Sequence, residues 1–297
     1  MQRLFAGLMS LGILMSLGMM AGGLIAGAQG DTKTADLLKQ ARAALGGDKS
    51  IAKVHALSCA GTVQRTIGDR QVSGEVTILL QLPDKMLRTE SISPIGDLVM
   101  ITEQGVNGDM LIRSSRTMNA PPGAMIRMPP PPERGSDAEA QALRASRADL
   151  ARLAAAMLLT STPAMPIEFA YGGEAESSDG TADVLDLKGG GNFAAKLFVD
   201  KATHRPLMVA YRGVAPRIIM QTQRGGPPPA DSSHAPAATP APDVVDITLF
   251  LDDYKAVDGV MLPHRMTRSV GGETNEEVTC KTMKVNPAFK PDTFAGR

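Results

Sequence analysis

The sequence predicts an α+β protein that is mainly antiparallel β, with one large sheet that is open or barrel-like. Most of the chain consists of short segments with apolar residues at every second position, and Gly, Pro, Asn or Asp residues separate them. Long helical periodicity occurs only near the start and in the middle of the chain, without the regular strand–helix alternation of a parallel sheet. Two Pro-rich segments, residues 119–135 and 225–243, interrupt the pattern and predict flexible loops.

The first 28 residues have the features of a secretory signal. Arg3 is the only charged residue before Asp31, most residues between them are apolar or small, and Ala26-Gly27-Ala28 matches an A-x-A cleavage site. We expect cleavage near Ala28 and an exported product, residues 29–297, that forms a single domain. The alternative is an uncleaved N-terminal membrane anchor, because about 20 apolar residues can span a bilayer.

Helices are predicted at residues 34–45 and 137–160, and Ser50 is placed to cap a short turn that follows the first helix. Residues 150–159 are apolar almost all round, which favours burial of this half of the helix against the concave side of the sheet. Period-two patterns predict strands at residues 57–65, 75–82, 85–92, 98–103, 110–114, 182–188, 194–200, 207–212, 217–222, 244–254, 260–270 and 276–285.

Composition argues against a nucleic-acid partner. The chain has 31 Lys+Arg and 31 Asp+Glu, and loss of the signal leaves a net charge of −1, whereas nucleic-acid binders carry a basic excess. Aromatic residues make up 3% of the chain and Trp is absent, so stacking platforms for bases or sugars are not expected. Met is abundant, with 18 residues in all and 13 after the signal.

Motifs for catalysis or metal binding are absent from the sequence. The four His residues have no metal-ligand spacing, and no nucleophile elbow or complete phosphate loop occurs. Acidic pairs such as Glu276-Glu277 alternate faces along a strand, and we interpret them as solvent-side charges. We therefore expect no catalytic residue, no metal, no cofactor and no enzymatic activity.

The two Cys residues, Cys59 and Cys280, lie in predicted strands near opposite ends of the chain and lack C-x-x-C spacing. In an oxidising compartment they can pair if their strands are close. The alternative is two buried free thiols.

The abundant Met residues lie mostly in or beside predicted strands and on the apolar helix. One interpretation is that these flexible side chains fill an irregular core. The other is that they line a cavity for lipid or acyl chains between a curved sheet and its helical cover, because Met adapts to varied apolar partners.

Several short motifs, in order, resemble the LolA-like family of periplasmic lipoprotein carriers, which includes LolB-like and RseB/MucB-like proteins. The opening Ala44-Leu45-Gly46-Gly47 is similar to the start of many exported members. Later matching stretches are Gly74-Glu75-Val76-Thr77-Ile78 with Leu82-Pro83 and Lys85-Met86-Leu87-Arg88, Gly105-Val106-Asn107-Gly108-Asp109, Leu197-Phe198-Val199-Asp200 with Thr203, Arg205-Pro206-Leu207 and Tyr211, and Tyr254 with Gly259-Val260-Met261-Leu262-Pro263 and Asn286-Pro287 to Phe294.

The resemblance implies a half-open antiparallel β-barrel, covered by helices, that encloses a hydrophobic cavity in a periplasmic protein. It implies a carrier or binding protein, with lipid or an acylated protein as partner and transient membrane contact. The candidate cavity residues are Val76, Ile78, Leu80, Leu82, Met86, Met100, Leu153 and Met157. One departure is Leu82, which stands where the best-studied carriers have an Arg that helps to hold the cover closed, and this bears on lipoprotein release.

Two other functions stay open. One is an RseB-like regulatory module that senses envelope lipids or proteins and holds an envelope protein through its Pro-rich segments. The other is a periplasmic hydrolase whose site is assembled from residues scattered along the chain.

Overall fold

The computed structural model describes residues 26–67, 70–119, 132–178, 180–214 and 243–296. Most of the predicted signal, most of the two Pro-rich segments and the strand predicted at residues 217–222 lie outside these described residues. The structure is mainly antiparallel β, as the sequence predicts, with few helices.

The described helices are α1 (Ala26–Ala44), α2 (Asp48–Ile51) and α3 (Asp137–Leu158). The Ser136 hydroxyl caps α3 by accepting a hydrogen bond from the Glu139 backbone N–H over 3.1 Å. Helix α3 ends at Leu159, whose left-handed backbone has a φ of 50°. Helix α1 begins before the predicted cleavage site, and α2 begins after Gly47 rather than at the predicted Ser50 cap.

The described strands are β1 (Ala56–Ile67), β2 (Arg70–Gln81), β3 (Lys85–Ile95), β4 (Leu98–Asn107), β5 (Met110–Met118), β6 (Ile167–Ser177), β7 (Gly180–Gly189), β8 (Phe193–Asp200), β9 (Pro206–Val214), β10 (Val244–Val257), β11 (Val260–Val270) and β12 (Glu273–Val285). Strand β6 was not predicted. Its pairing register with β7 shifts between Tyr171 and Gly173, although every second residue from Ile167 to Ala175 is the less exposed one.

All twelve described strands form one sheet, in the order β5-β4-β3-β2-β1-β12-β11-β10-β9-β8-β7-β6. Strands that are neighbours in sequence are neighbours in the sheet except β5 and β6, and in the interior of the sheet the first strand pairs with the last. Strands β5 and β6 form the two edges, and they do not pair with each other within the described residues. The sheet is therefore open in the described part of the chain.

A disulfide bond joins the two halves of the sheet at this central pairing. Cys59 on β1 and Cys280 on β12 are bonded, with their Cα atoms 5.4 Å apart. Gly61 is the strand partner of Cys280, next to a register shift between Ala60 and Gly61. The first and the last strand in the sequence, β1 and β12, are thus covalently linked.

One face of the sheet carries the main apolar cluster, which includes buried residues from every described helix. The opposite face of the sheet has a smaller cluster in which Leu87 of β3 and Ile112 of β5 pack against Phe294 of the C-terminal segment. This segment is held by a hydrogen bond from the Asn107 side-chain amide to the Phe294 carbonyl, at 3.0 Å. The face that carries the main cluster is called the inner face below.

Candidate functional site

Helix α3 lies on the inner face and contacts strands from both halves of the sheet. Its neighbours are β3, β4 and β5 near one edge and β8 and β9 in the other half. Because β5 and β9 are separated by seven strands in the sheet order, one helix can contact both only if the sheet curves around it. In sequence, α3 connects the two edge strands, β5 and β6.

The buried side of α3 is unusually small in its side chains. Five of the buried residues on the helix are Ala, namely Ala148, Ala151, Ala154, Ala155 and Ala156. The larger buried residues, Leu150, Met157 and Leu158, flank them. Alanine brings the helix close to the sheet while burying little apolar area per residue, so this contact is less stabilising than one made by Leu throughout.

An apolar pocket lies between α3 and the centre of the sheet. Its lining residues are Leu57, Ser58 and Cys59 of β1, Ile78 and Leu80 of β2, Leu153 and Met157 of α3, Met266 of β11 and Met283 of β12. Ser58 is the only residue among them with a polar side chain. The enclosed space has room for about one water molecule, so the structure shows α3 closed on the sheet.

Four of the eight predicted cavity residues line this pocket: Ile78, Leu80, Leu153 and Met157. The other four, Val76, Leu82, Met86 and Met100, belong to the same apolar cluster but lie outside the pocket lining. The role of all eight in ligand binding stays a prediction.

The remaining lining residues come from β1, β11 and β12; Met266 and Met283 agree with the interpretation that Met residues in strands line a cavity, whereas Leu57, Ser58 and Cys59 were not predicted for the site. Met266 and Met283 are in the predicted strands, and their period-two spacing from other apolar residues places them on one face. What the sequence does not show is that β1 pairs with β12, which brings Met283 opposite Cys59.

Two arginines in the middle and second half of α3 hold the helix in place. The Arg152 guanidinium lies 3.8 Å from the ring centre of Tyr211 on β9 and 5.4 Å from that of Phe193 on β8. In the middle of the helix, Arg147 donates to the Gly108 carbonyl at 2.9 Å and pairs with Asp109. These contacts connect the helix to both halves of the sheet.

The C-terminal end of α3 is held by α1. Arg42 donates a hydrogen bond to the Leu159 carbonyl over 2.9 Å. This carbonyl follows the last helical turn, where no further turn of helix provides a donor. The contact links the two long helices.

A buried ion network lies on the inner face beside the pocket. Arg65 and Arg88 each pair with both Glu90 and Glu276, with Arg65–Glu90 and Arg88–Glu276 both at 2.8 Å. The side chains of the two acids are 6% and 4% exposed. Arg268 faces the same network, because it is the strand partner of Glu276.

The network keeps Glu276 ionised in spite of its burial. Burial alone raises the pKa of this carboxyl group, but the guanidinium groups of Arg88, Arg268 and Arg65 lower the pKa to about 2. The pKa of Arg88 is raised by Glu276 and Glu90, which outweigh the burial that opposes its charge. Both partners are therefore charged over the whole physiological pH range.

The prediction that Glu276 is a solvent-side charge was wrong. The sequence pattern correctly places Glu276 and Glu277 on opposite faces, but Glu276 takes the inner face, the same face as Val278 and Cys280. Three arginines from other strands make this burial possible. They lie too far away in sequence for a local pattern to reveal them.

Features of other kinds of site are few. In the described part of the chain, no three His, Cys, Asp or Glu residues are grouped to hold a metal ion. His264 is buried with its Nδ1 atom 3.1 Å from the Leu262 carbonyl, His55 is exposed, and His234 lies outside the described residues. Within the described ranges, no helix has the length and hydrophobicity needed to cross a membrane.

Comparison with known proteins gives structural likenesses at low sequence identity. No protein-family model and no curated protein sequence matches the chain. A solved LolA superfamily protein from Nitrosomonas europaea is 11% identical, with a TM-score of 0.43, and the match covers 88% of this chain and 96% of that one. A putative outer membrane lipoprotein-sorting protein domain from Vibrio parahaemolyticus is 11% identical over 89% and 96% of the two chains, with a TM-score of 0.42.

A DUF1329 family protein from Desulfovibrio piger is 8% identical over 88% of this chain and 96% of that one, with a TM-score of 0.44. The complex of MucA and MucB from Pseudomonas aeruginosa is a weaker likeness, 11% identical over 86% and 100% of the chains with a TM-score of 0.20. The structural neighbours thus include the LolA-like and MucB-like proteins that the sequence resembles.

Proposed function

We propose that the protein is an exported, non-enzymatic binding protein that holds acyl chains of a lipid or lipoprotein between the inner face of the sheet and α3. The observation that carries the proposal is the pocket between α3 and the central strands. Of its nine lining residues, only Ser58 has a polar side chain and three are Met. Such a surface favours flexible hydrocarbon chains over polar substrates.

A bound chain requires α3 to move away from the sheet, because the closed pocket has room for about one water molecule. The topology permits this movement. The helix connects the two edge strands and makes no strand pairing, so it can leave without breaking a backbone ladder. It is part of this proposal that the sheet forms a half-open barrel and that α3 covers its opening.

The energetics of opening favour exchange of α3 for an acyl chain. Burial of each methylene contributes about 0.8 kcal/mol, so a chain of about ten buried methylenes contributes roughly 8 kcal/mol. Movement of α3 exposes the five buried alanines together with four larger residues, Leu150, Leu153, Met157 and Leu158. The chain therefore replaces the apolar contacts that the helix gives up.

Substitution of adjacent leucines on opposite faces of β2 tests this proposal. Leu80 lines the pocket, whereas Leu79 packs on the outer face against the smaller cluster. Leu80→Asn puts an amide against the hydrocarbon, which costs about 1–3 kcal/mol when it has no hydrogen-bond partner. We expect affinity for a fluorescent fatty-acid probe to fall about tenfold or more in Leu80→Asn.

Leu79→Asn is the matched control and should bind the probe within about twofold of the unchanged protein. Circular dichroism and urea unfolding establish that each variant is folded before its affinity is compared. Equal affinity of the two folded variants, or exclusion of the probe by the unchanged protein, would overturn the proposal.

The regulatory alternative depends on the Pro-rich segments, which lie mostly outside the described residues, and it stays a prediction. Its test is deletion of residues 225–243. A regulator loses capture of its envelope partner on this deletion, whereas a carrier keeps its affinity for the probe. The hydrolase alternative also stays a prediction, and its test is loss of turnover on substitution of His204 or His264.

A further inference from the structure

The ion network on the inner face has more positive than negative charge and more donors than acceptors. Within the described ranges, the ion pairs of this network join Arg65 and Arg88 to two carboxylates, Glu90 and Glu276, and Arg268 faces Glu276 as its strand partner. Each guanidinium has five N–H donors, and each carboxylate has about four acceptor sites. Among the described residues, the buried Arg268 Nε atom has no hydrogen-bond partner.

Stability alone does not account for such a network. Moving charges out of water is costly, and replacing a buried ion cluster by apolar residues is often neutral or stabilising. The network also lies on the inner face, where α3 packs against apolar residues. A binding role gives a reason for keeping unmatched guanidinium groups there.

The network begins where the apolar pocket ends. On β11, Arg268 follows the pocket residue Met266 by two positions, about 7 Å along the strand on the same face. The pocket residue Ile78 on β2 is the direct strand partner of Arg88 on β3. A chain lying in the pocket therefore has its end within reach of the guanidinium groups.

Helix α3 also carries charged residues next to apolar ones. Leu153 lines the pocket, and Asp149, one helical turn earlier, pairs with Arg152 at 2.8 Å. The helix thus carries an ion pair beside the leucine that lines the pocket.

Resting on the proposed function, we infer that Arg65, Arg88 and Arg268 form the head-group site, which binds an anionic oxygen group, a carboxylate or phosphate, at the end of the bound acyl chain. Guanidinium groups bind both anions through paired, charge-assisted hydrogen bonds. Opening of α3 admits the ligand's anion.

Amphiphiles that share one acyl chain and differ in head group test this inference by competition with the fluorescent fatty-acid probe. We expect oleate and oleoyl lysophosphatidate to bind at least tenfold more tightly than uncharged mono-oleoylglycerol. Inorganic phosphate, measured by calorimetry, should bind at least a hundredfold more weakly than lysophosphatidate. Phosphate that binds as tightly as lysophosphatidate would overturn the assignment to an acyl-linked anion.

Two arginines of β11 provide the test variant and its control. Arg65 and Arg88 bond both acids, whereas Arg268 acts on Glu276 through its charge. Arg268→Gln should therefore disturb the closed network least, and it should lose most of the preference for anionic ligands while keeping affinity for mono-oleoylglycerol within about twofold. Arg265 lies on the opposite face and pairs with Asp252, so Arg265→Gln should keep the full preference for anionic ligands.

If Arg268→Gln does not fold, Arg268→Lys provides the same comparison, because it keeps the charge and loses the paired donors. Its preference for anions should be intermediate. Equal affinity of the unchanged protein for anionic and uncharged amphiphiles would overturn the head-group site and leave the proposed function standing. Failure of every amphiphile and of the probe to bind would overturn the proposed function itself.

Discussion

The Arg152 guanidinium on α3 lies 3.8 Å from the ring centre of Tyr211 on β9. Tyr211 is largely buried, and its pKa is raised, first by burial and then by the charge of Asp149. A cation over a desolvated aromatic ring contributes about 1–2 kcal/mol. This contact attaches the helix to the half of the sheet that lies opposite the Arg147–Asp109 pair.

Removal of this contact should loosen α3 without unfolding the sheet. We expect Arg152→Ala to speed amide hydrogen exchange in α3 about fivefold to thirtyfold, while exchange in β1 and β12 stays unchanged. Arg144→Ala, at an exposed position of the same helix, is the control and should exchange at the original rate. Equal exchange in the two variants would mean that Arg152 does not hold α3 closed.

The disulfide should be a major source of stability. Cys59 and Cys280 are 221 residues apart, and the loop-entropy relation assigns to a loop of this length roughly 5 kcal/mol. We expect a reducing agent to lower the free energy of unfolding in urea by about 2–5 kcal/mol. The double variant Cys59→Ala/Cys280→Ala should start at the lower value and be insensitive to reductant, and a reductant effect that persists in it would refute the assignment.

Acid should destabilise the protein through Glu276. The pKa of this carboxyl group is about 2 in the folded protein and 4.5 without its partners, as in the unfolded chain. As the pH falls, the unfolded state therefore binds a proton at this group before the folded state does, and the equilibrium shifts towards unfolding. The contribution is fully present above about pH 4.5 and is lost between pH 4.5 and 2. The shift corresponds to roughly 3 kcal/mol.

Urea unfolding at pH 7, 4 and 3 measures this loss. Glu276→Gln should be less stable at neutral pH and should lack this part of the acid dependence. Glu277→Gln, its neighbour on the opposite face, should keep the dependence of the unchanged protein. Identical pH profiles for the unchanged protein and Glu276→Gln would show that the network does not stabilise the folded state.

Much of the fold could be predicted from the sequence, because it follows from local pattern. The alternation of Val76, Ile78 and Leu80 is sufficient to define β2 and its buried face. Strand β6 was not predicted, although every second residue from Ile167 to Ala175 is the less exposed one. Gly172 and Gly173 weaken the strand pattern, and pairing with β7 stabilises the strand.

The site was harder to predict from the sequence, because it depends on pairing between strands that are far apart in the chain. Half of the predicted cavity residues line the pocket, but Met266 and Met283 reach it only through the pairing of β11 and β12 with each other and of β12 with β1. The buried position of Glu276 depends in the same way on Arg65 and Arg88, which approach from other strands. Local periodicity shows which residues of a strand share a face, but it does not show which strands lie beside that strand.

Native mass spectrometry of the protein purified under mild conditions, without added lipid, tests the central claim most directly. The account predicts a population with one or two acyl chains bound, which organic extraction removes and a fatty acid restores. Leu79→Asn should retain this bound mass, and Leu80→Asn should lose most of it. A protein that carries no lipid as purified and takes up none on incubation would contradict the account.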